Sequence, residues 1–361
     1  MQFGLSESQQ ILKDTAQKFF AGECPPAEVR RLMETGTAYD AALWRKMAEQ
    51  GFTGIIFPEE HGGMGLGKVE LVLLMEEAGR ALLPGPFFST VVLAGAVLAA
   101  CGSAAQKKKY LGAIASGEAR STLAMLETDA SWNPADLQLA ESGGKLTGKK
   151  LFVTDAAAAS FMVVVARNGV FVVDAQAAGV KIAPMAGMDL TRKIYSVEFT
   201  NTPAEKLAAP EHLAAALDVA TTALVAEMVG GMQRTLDITV QYAKTRKQFG
   251  KPIGQYQAVQ HHCADMYLET ESSRSAVYYA AWALEESAPD AMQAVSIAKM
   301  YSSDAGRAVG NRGIQVHGGM GFTWENDLHL FYRRAKASET MLGDATFHRE
   351  RLAKMVVDVA G

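Results

Sequence analysis

The sequence predicts an α+β fold: a helical N-terminal domain, a middle antiparallel β domain and a C-terminal four-helix bundle. Two observations carry this prediction, namely helical periodicity at both ends of the chain and short β-branched apolar runs between them. A third is composition, because 49% of the 361 residues are hydrophobic and 20% charged, which suits a large buried core. We place the three domains at residues 1–118, 119–207 and 208–361.

Helix signals define the N-terminal domain. Ser6 and Gln9 have the spacing of a capping box at the start of an apolar helical face. Further helices are predicted at Asp40–Glu49 and Val69–Ala81. The apolar stretch Val91–Cys101 is too short to span a bilayer, which needs about 20 residues. We therefore expect a buried helix there and no membrane span.

The middle domain is predicted from short runs that are rich in β-branched and aromatic residues. Gly143-Gly144 and Asn168-Gly169 separate some of these runs, as hairpin turns do. The predicted strands lie at Leu123–Leu126, Leu137–Leu139, Leu151–Thr154, Phe161–Ala166, Val170–Val173 and Ile194–Phe199. They predict a small antiparallel β domain.

Long helices are predicted for the C-terminal part. The first carries an apolar stripe and should end at Gly250, two residues before Pro252. The stripe consists of Leu217, Leu224, Met228, Met232, Leu236 and Val240. Further helices are predicted at about 255–286, 290–314, 327–341 and 344–359, which fits a four-helix bundle with one additional helix.

Charge and cysteine content exclude several functional classes. Lysine and arginine number 35 and aspartate and glutamate 39, a net charge of -4, which argues against a nucleic-acid-binding protein. Cys24, Cys101 and Cys263 are far apart, so reduced thiols in a cytoplasmic protein are expected. The N-terminus lacks the pattern of a secretion signal. No HExxH motif is present, and we expect no metal site.

Two runs in the bundle region are suited to binding a phosphate-bearing ligand. Arg246–Gln257 places a guanidinium, amides and an aromatic ring near a helix end, and arginine can hold a diphosphate with its planar fork of donors. Cations that stabilise a helix C-terminus are the alternative. Gln315–Phe322 combines an amide with paired glycines, through which a backbone can approach a ligand closely. A simple helix C-cap is the alternative there.

These two runs, together with four other segments, resemble the acyl-CoA dehydrogenase family of flavoproteins over essentially the whole chain. The other segments are Phe3–Ser6, Trp44–Gly63, Gly148–Thr154 and Tyr332–Lys336. The resemblance implies the same three-domain order, non-covalent FAD and oligomers, homomeric or heteromeric, that form through the bundle. It also implies an acyl-CoA substrate and an electron-transfer flavoprotein as electron acceptor.

Seven residues match family positions that contact FAD. In the bundle, the resemblance implies contacts with the FAD of a neighbouring subunit by Arg246, Phe249, Gln257, Gln315 and Gly319. In the β domain, Phe152 stands where the family usually has a tryptophan against the flavin. Thr154 matches the residue that bonds the flavin edge.

The base that removes the α-proton does not match the family pattern. Leu342 occupies the usual glutamate position, and Ala220 occupies the position that a minority of members use. Asp344 is the nearest carboxylate and our candidate base, with a helix N-cap as the alternative. Glu227 lies about 10 Å beyond Ala220 on the same helix face, and pairing within the bundle is the alternative for it.

The substrate side departs from the family too. Asp218 matches the family, but the arginine expected three residues later is Thr221. In the loop Glu127–Ala135, the bulky Trp132 takes the place of a serine beside the acyl-CoA.

Three hypotheses follow from these departures. The chain is an active dehydrogenase of a less common acyl-CoA, such as a ring-bearing or dicarboxylic thioester, with Asp344 as base. Alternatively, it is a base-lacking subunit that completes the FAD site of a heteromeric enzyme. The third hypothesis is a flavin oxidase or monooxygenase with the same fold.

Overall fold

The chain is described over residues 4–357 by a computed structural model. It divides into two compact units. Of the described residues, the helical unit comprises 4–29, Lys68–Leu83 and 221–357, and the sheet unit comprises Arg30–Gly67 and Pro84–Ala220. Phe3 of the N-terminal motif and the predicted helix end at residue 359 lie outside the described residues.

Most of the chain is helical. A π-helical segment, Phe88–Ala94, runs directly into α5. In chain order, the α-helices of residues 4–357 are α1 (Glu7–Glu23), α2 (Pro26–Met33), α3 (Ala41–Glu49), α4 (Lys68–Arg80), α5 (Gly95–Cys101), α6 (Ala104–Ala115), α7 (Leu213–Thr245), α8 (Gln257–Glu285), α9 (Ala291–His317), α10 (Leu328–Thr340) and α11 (Ala345–Val356).

Side-chain caps fix several helix starts. The predicted capping box of α1 is confirmed: the Ser6 hydroxyl accepts the Gln9 N–H at 3.2 Å, and the Gln9 side chain accepts the Ser6 N–H at 3.0 Å. Asp40 caps α3 through the N–H groups of the second and third helical residues. At the start of α4, the Glu285 carboxylate accepts the N–H groups of Lys68 and Val69 at 2.8 and 3.2 Å. These bonds satisfy amides that a helix start leaves without partners.

Helices α4 and α7 cross at very close range. A Cβ added to Gly79 would lie 2.0 Å from the Glu227 carbonyl oxygen, and one added to Gly230 would lie 1.8 Å from the Glu76 carbonyl oxygen. Only glycine fits at either position. The crossing brings the acidic residues of α4 next to the middle of α7.

The strands of residues 4–357 form two four-stranded sheets and a two-stranded ribbon. The sheet orders are β1-β4-β5-β8 and β2-β3-β7-β6, and β9 pairs with β10. The strands are β1 (Ser121–Ala124), β2 (Glu141–Ser142), β3 (Lys145–Thr154), β4 (Phe161–Ala166), β5 (Gly169–Asp174), β6 (Val180–Met185), β7 (Ile194–Pro203), β8 (Glu205–Lys206), β9 (Lys247–Gln248) and β10 (Lys251–Pro252).

The sheets are antiparallel, as predicted, except at one pair. Strands β1 and β4 pair in parallel, because the chain leaves β1 for the other sheet and returns before entering β4, and such a crossover allows parallel pairing. Residues from both sheets, including Val164, Phe171 and Val197, share one buried core. The two sheets therefore pack as two layers around that core.

Five of the six predicted strands are present, and one prediction is wrong. Leu137–Leu139 forms a loop, although Leu137 and Leu139 are buried. The Leu139 N–H donates to the Glu127 carboxylate at 3.0 Å and not to a carbonyl of a neighbouring strand. The prediction missed β6, which pairs with β7 and contains Pro184. Gly143 and Gly144 form a hairpin turn between β2 and β3, as expected, both with positive φ.

Helix α7 ends five residues earlier than predicted. It stops at Thr245, and the ribbon β9–β10 occupies the segment up to Pro252. The prediction of a helix to Gly250 is wrong because the turn at Phe249 and Gly250 adopts positive φ, which a helix cannot accommodate. Within residues 4–357, the segment Pro210–Thr245 is long and apolar enough to cross a membrane, but a core helix passes the same test and 78% of its apolar window is buried in the protein.

Candidate functional site

The hairpin after α7 presents an aromatic ring to solvent. Phe249 and Gly250 form its two-residue turn, with φ of 51° and 82°. Positive φ at a bulky residue costs on the order of 1–3 kcal/mol, yet the Phe249 side chain is 91% exposed. Its ring faces the edge of the Tyr256 ring, at 6.5 Å between centroids. A strained backbone that holds an apolar ring in water indicates a residue that binds something outside this chain.

Arg246 and Gln257 stand on either side of this hairpin. The Arg246 N–H donates to the Tyr242 carbonyl at 2.8 Å, and the Arg246 carbonyl accepts from the Ile253 N–H at 2.8 Å. The backbone at the base of the hairpin is thus fixed. Gln257 is the first residue of α8. Both side chains are exposed and have no hydrogen-bond partner within residues 4–357, so their donors are available to a ligand.

The glycine run after α9 leaves space for a ligand. Gly318 has φ of 60° and ends the helix, and a Cβ added to Gly318 or Gly319 would have no atom within 4 Å. Gln315, in the last turn of α9, is exposed. An amide and accessible backbone N–H groups therefore lie together at one helix end.

A ring stack joins this glycine run to the hairpin. The Tyr242 ring lies on the His317 imidazole with centroids 4.2 Å apart and an angle of 21° between the planes. His317 is held by a bond between Nδ1 and the Gly313 carbonyl at 2.8 Å. Tyr242 is four residues before Arg246, and His317 lies between Gln315 and Gly319. The ends of α7 and α9 are thus adjacent, which brings the predicted FAD residues of the helical unit into one neighbourhood.

This neighbourhood fits the diphosphate-bearing half of FAD. Arg246 supplies a guanidinium, Gln315 an amide, and the glycine run backbone N–H groups, which are the donors that phosphate oxygens accept. Phe249 supplies an exposed ring. The open space above Gly318 and Gly319 allows close approach.

The two predicted FAD residues of the sheet unit lie at a β-bulge. Pairing between β3 and β7 shifts between Lys150 and Val153, and Phe152 has φ of 54° with its side chain 41% exposed. The bulge turns the Phe152 ring away from the core. Thr154 is buried at the end of β3, where its carbonyl accepts the Thr122 hydroxyl at 2.6 Å. Phe152 therefore resembles Phe249, because both residues have an exposed ring and a backbone in the left-handed region.

The position at which the resemblance predicts the usual base is apolar and held by hydrogen bonds. Leu342 is 4% exposed with φ of 59°, and its carbonyl accepts the His348 Nε2–H at 2.9 Å. The Lys299 ammonium donates to the Ser338 and Glu339 carbonyls at 3.1 and 2.9 Å at the end of α10. Burial lowers the pKa of Lys299 to about 7 and that of His348 to about 4. Two buried side chains therefore clamp the loop that carries Leu342.

The other candidate base positions have structural roles. Asp344 is exposed and caps α11, accepting the Phe347 N–H at 2.8 Å. Glu227 is buried and binds the Arg334 guanidinium at 2.7 Å. Ala220 is buried and apolar. The cap and the ion pair are the alternatives considered for Asp344 and Glu227 on sequence grounds.

The loop with Trp132 is anchored by a buried cation. The Lys150 ammonium donates to the Met125 carbonyl at 2.9 Å and to the Glu127 carboxylate at 2.7 Å. Glu127 also accepts two backbone N–H groups from the far end of the loop. Burial alone would raise the pKa of Glu127, but these bonds hold that pKa below its usual value. Trp132 is half-buried, and Asp218 and Thr221 are buried in their own units.

Sequence reasoning missed the residues that position the site. Lys299, Lys150 and Tyr242 act through contacts with residues that are distant in sequence, and such contacts have no local signature. Lys299 lies in the first half of α9 as the single charged residue of the run 291–303, and such a lone charge is the kind of signal that could have indicated burial. Within residues 4–357, no group of three or more metal-ligating side chains is present.

Comparison with known proteins gives consistent matches. The acyl-CoA dehydrogenase N-terminal domain matches residues 6–118 and the C-terminal domain matches residues 212–357. The chain is 34% identical over 339 residues to acyl-CoA dehydrogenase IpdE2 of Mycobacterium tuberculosis, covering 93% of each chain.

Solved structures agree. The Tcur3481-Tcur3483 steroid ACAD is 32% identical, covers 98% of each chain and has a TM-score of 0.90. The ChsE4-ChsE5 complex from Mycobacterium tuberculosis is 28% identical, covers 100% of each chain and has a TM-score of 0.92. The chain therefore belongs to the acyl-CoA dehydrogenase family, as an FAD-dependent oxidoreductase that acts on acyl-CoA.

Proposed function

We propose that this chain is the base-lacking subunit of a heteromeric acyl-CoA dehydrogenase. In the proposed reaction, a proton leaves Cα of an acyl-CoA thioester for a carboxylate of the partner chain, and a hydride leaves Cβ. FAD supplies the hydride acceptor, flavin N5. The products are the α,β-unsaturated thioester and reduced flavin.

The observation that carries this proposal is the environment of Leu342. A buried hydrocarbon side chain cannot accept a proton, and the hydrogen bonds from Lys299 and His348 hold the backbone just before Leu342 and at Leu342 itself. Proton abstraction by this chain at the usual position is therefore ruled out by chemistry. The minority position, Ala220, is apolar as well.

The features suited to FAD support a role for the chain in the assembled enzyme. Phe249 and Phe152 retain exposed rings on strained backbone, and such strain is kept only where surrounding structure or function maintains it. A chain that had lost its function altogether would have no reason to keep these features. We infer that it holds FAD while its partner provides the base.

The relatives support the heteromeric assembly and a substrate class. One similar structure is a complex of ChsE4 with ChsE5, and another is the Tcur3481-Tcur3483 steroid ACAD. Because the second of these relatives is named as a steroid ACAD, we propose a ring-bearing acyl-CoA as substrate.

A second candidate keeps the chain catalytic by itself, with Asp344 as base. One oxygen of Asp344 is occupied by the cap bond to Phe347 and the carboxylate is exposed, so its second oxygen is available for a proton. Exposure to water weakens this candidate, because a base for a weakly acidic α-proton works best when water is excluded.

Two expectations from the sequence analysis, one from the resemblance and one from the cysteine content, stay part of the proposal. Electron-transfer flavoprotein is the proposed acceptor of the electrons, and the cytoplasm is the proposed location. Turnover that depends on added electron-transfer flavoprotein would support the first, and turnover with oxygen alone would contradict it by favouring an oxidase.

Co-purification tests the proposal. A tagged copy of this chain, expressed in its own host, is expected to retain a second acyl-CoA dehydrogenase-like chain in a 1:1 ratio by mass spectrometry, and the complex should turn over an acyl-CoA. Replacing the partner's base by glutamine should abolish turnover with FAD still bound. A homo-oligomer with full turnover would contradict the proposal.

A further inference from the structure

The helical unit contains a cavity of about 430 Å³. It lies among α1, α2, α4, α7 and α10, and none of the residues assigned above to FAD or to the base lines it. Its volume falls within the range of small-molecule binding sites, roughly 300–1,000 Å³. The cavity is therefore large enough for a ligand of its own.

Most of the cavity wall is apolar. Two phenylalanine rings and several aliphatic side chains form it, from four different helices. These residues are Phe20, Ala21, Val29, Ile238, Leu330 and Phe331. Such a wall suits a hydrocarbon portion of a ligand, because burying apolar surface releases about 25 cal/mol per Å².

One buried acid in the wall lacks a partner. Glu77 is 3% exposed, and its Oε2 atom has no hydrogen-bond partner within residues 4–357. An unpaired polar atom in such a place costs free energy unless something else satisfies it. Burial raises the pKa of Glu77 to about 7, so near neutral pH a large share of this carboxyl carries a proton that it can donate to an acceptor.

The unpaired charge at the cavity is positive. Arg80 is neutralised by Asp237 at 2.7 Å. Arg234 is half-buried on α7, and its guanidinium has no partner in the described part of the chain, while Lys18 lies exposed at the rim. A guanidinium fork binds a carboxylate with two parallel hydrogen bonds. The wall thus combines an apolar surface with the guanidinium of Arg234.

We propose that this cavity is a second binding site, which takes a small apolar carboxylate. The carboxylate group of the ligand binds the Arg234 guanidinium and accepts a hydrogen bond from the protonated carboxyl of Glu77. Its hydrocarbon portion lies on the apolar wall. The site goes beyond the proposed dehydrogenation, and its test does not depend on a partner chain.

Calorimetric titration of the FAD-loaded protein with octanoate tests the proposal. Octanoate is expected to bind with one site per chain, and octanamide, which has the same hydrocarbon but no charge, at least fivefold more weakly. Equal binding of the two probes would overturn the proposal, as would no binding of octanoate. Equal binding would show that the cavity does not recognise the carboxylate group, and no binding of octanoate would show that the cavity does not take such a ligand.

Variants locate the bound octanoate. Arg234→Gln should weaken octanoate binding about five- to tenfold, and Arg234→Lys should recover part of the loss. Arg45→Gln removes an exposed cation of the sheet unit and should leave binding unchanged. The flavin absorption of each variant reports that the protein is folded. Unchanged affinity in Arg234→Gln would place octanoate elsewhere and overturn the assignment.

Discussion

The Tyr242 ring stacks on the His317 imidazole at 4.2 Å between centroids, and this contact joins the two segments whose residues are predicted to contact FAD in the helical unit. On one side, the hairpin after α7 presents Arg246 and Phe249. On the other, the end of α9 presents Gln315 and the glycine run. The stack is therefore a positioning contact, since neither ring is among the residues assigned to FAD.

Loss of the stack should weaken FAD binding. Tyr242→Leu removes an aromatic pair worth about 0.5–1.5 kcal/mol, so we expect a two- to tenfold rise in the Kd for FAD, measured by fluorescence titration of the apoprotein. Tyr242→Phe keeps the ring and serves as the matched control. Equal FAD affinity in all three proteins would show that the stack positions nothing.

Strain at Phe249 gives a second prediction. Phe249→Gly relieves the positive φ and should raise the free energy of unfolding of the apoprotein by about 1 kcal/mol, while weakening FAD binding because the ring is lost. Ser287 is exposed with φ of 51° and belongs to no candidate site. Ser287→Gly should therefore bring a comparable stabilisation with unchanged FAD affinity. If Phe249→Gly bound FAD as tightly as wild type, the assignment of this ring to the cofactor would fail.

The buried pair of Glu227 and Arg334 predicts a large effect on stability. Glu227→Ala leaves the Arg334 guanidinium buried without its 2.7 Å partner, which costs about 3–5 kcal/mol. In contrast, Glu49→Ala breaks an exposed pair with Arg45 and should cost less than about 1 kcal/mol. Urea denaturation measures both. Full stability together with lost turnover in Glu227→Ala would instead identify Glu227 as a base.

Glu77 makes stability depend on pH. Burial raises the pKa of its carboxyl to about 7 from 4.5, so between these values the folded state binds a proton that the unfolded state releases. The free energy of unfolding must therefore fall as pH rises through this window. The charged groups that act on this carboxyl are Lys13, Glu76, Arg80 and Arg274.

The isosteric variant isolates this effect. Glu77→Gln carries no titrating proton, so its stability relative to wild type should increase from pH 5 to pH 8 by at most about 3 kcal/mol. Urea denaturation at the two pH values measures the difference. A constant difference would mean that Glu77 is ionised in the folded protein across the whole range.

Variants of Asp344 distinguish a helix cap from a catalytic base. Asp344→Ala removes the bond to the Phe347 N–H and should lower stability by about 1 kcal/mol, with turnover of the assembled enzyme retained. Asp344→Asn preserves a cap and should restore stability. Lost turnover in both variants, with FAD bound, would support Asp344 as base instead.

Local patterns allowed much of the fold to be predicted. The capping box at Ser6 and Gln9, the β4 segment Phe161–Ala166 and the turn at Gly143 and Gly144 all depend on neighbours in sequence. For the same reason the helices of the bundle were placed to within a few residues. The end of α7 was missed, because the positive φ of Phe249 is imposed by the hairpin and not by the residue's own preference.

The site could be predicted only in part. Arg246, Gln315 and Phe249 could be predicted as FAD contacts because they lie in contiguous motifs that resemble the family, and their role stays a prediction. The clamp on Leu342 by Lys299 and His348, and the anchor of the Trp132 loop by Lys150, join segments far apart in sequence. Such contacts follow from tertiary packing, which periodicity does not encode.

The visible spectrum of this chain purified alone, loaded with FAD and titrated with acyl-CoAs without oxygen, tests the central claim most directly. We predict a flavin band that no thioester bleaches, because Leu342 and Ala220 cannot take a proton. Bleaching should follow when the partner chain is added. A chain that bleaches by itself would contain its own base and contradict the account.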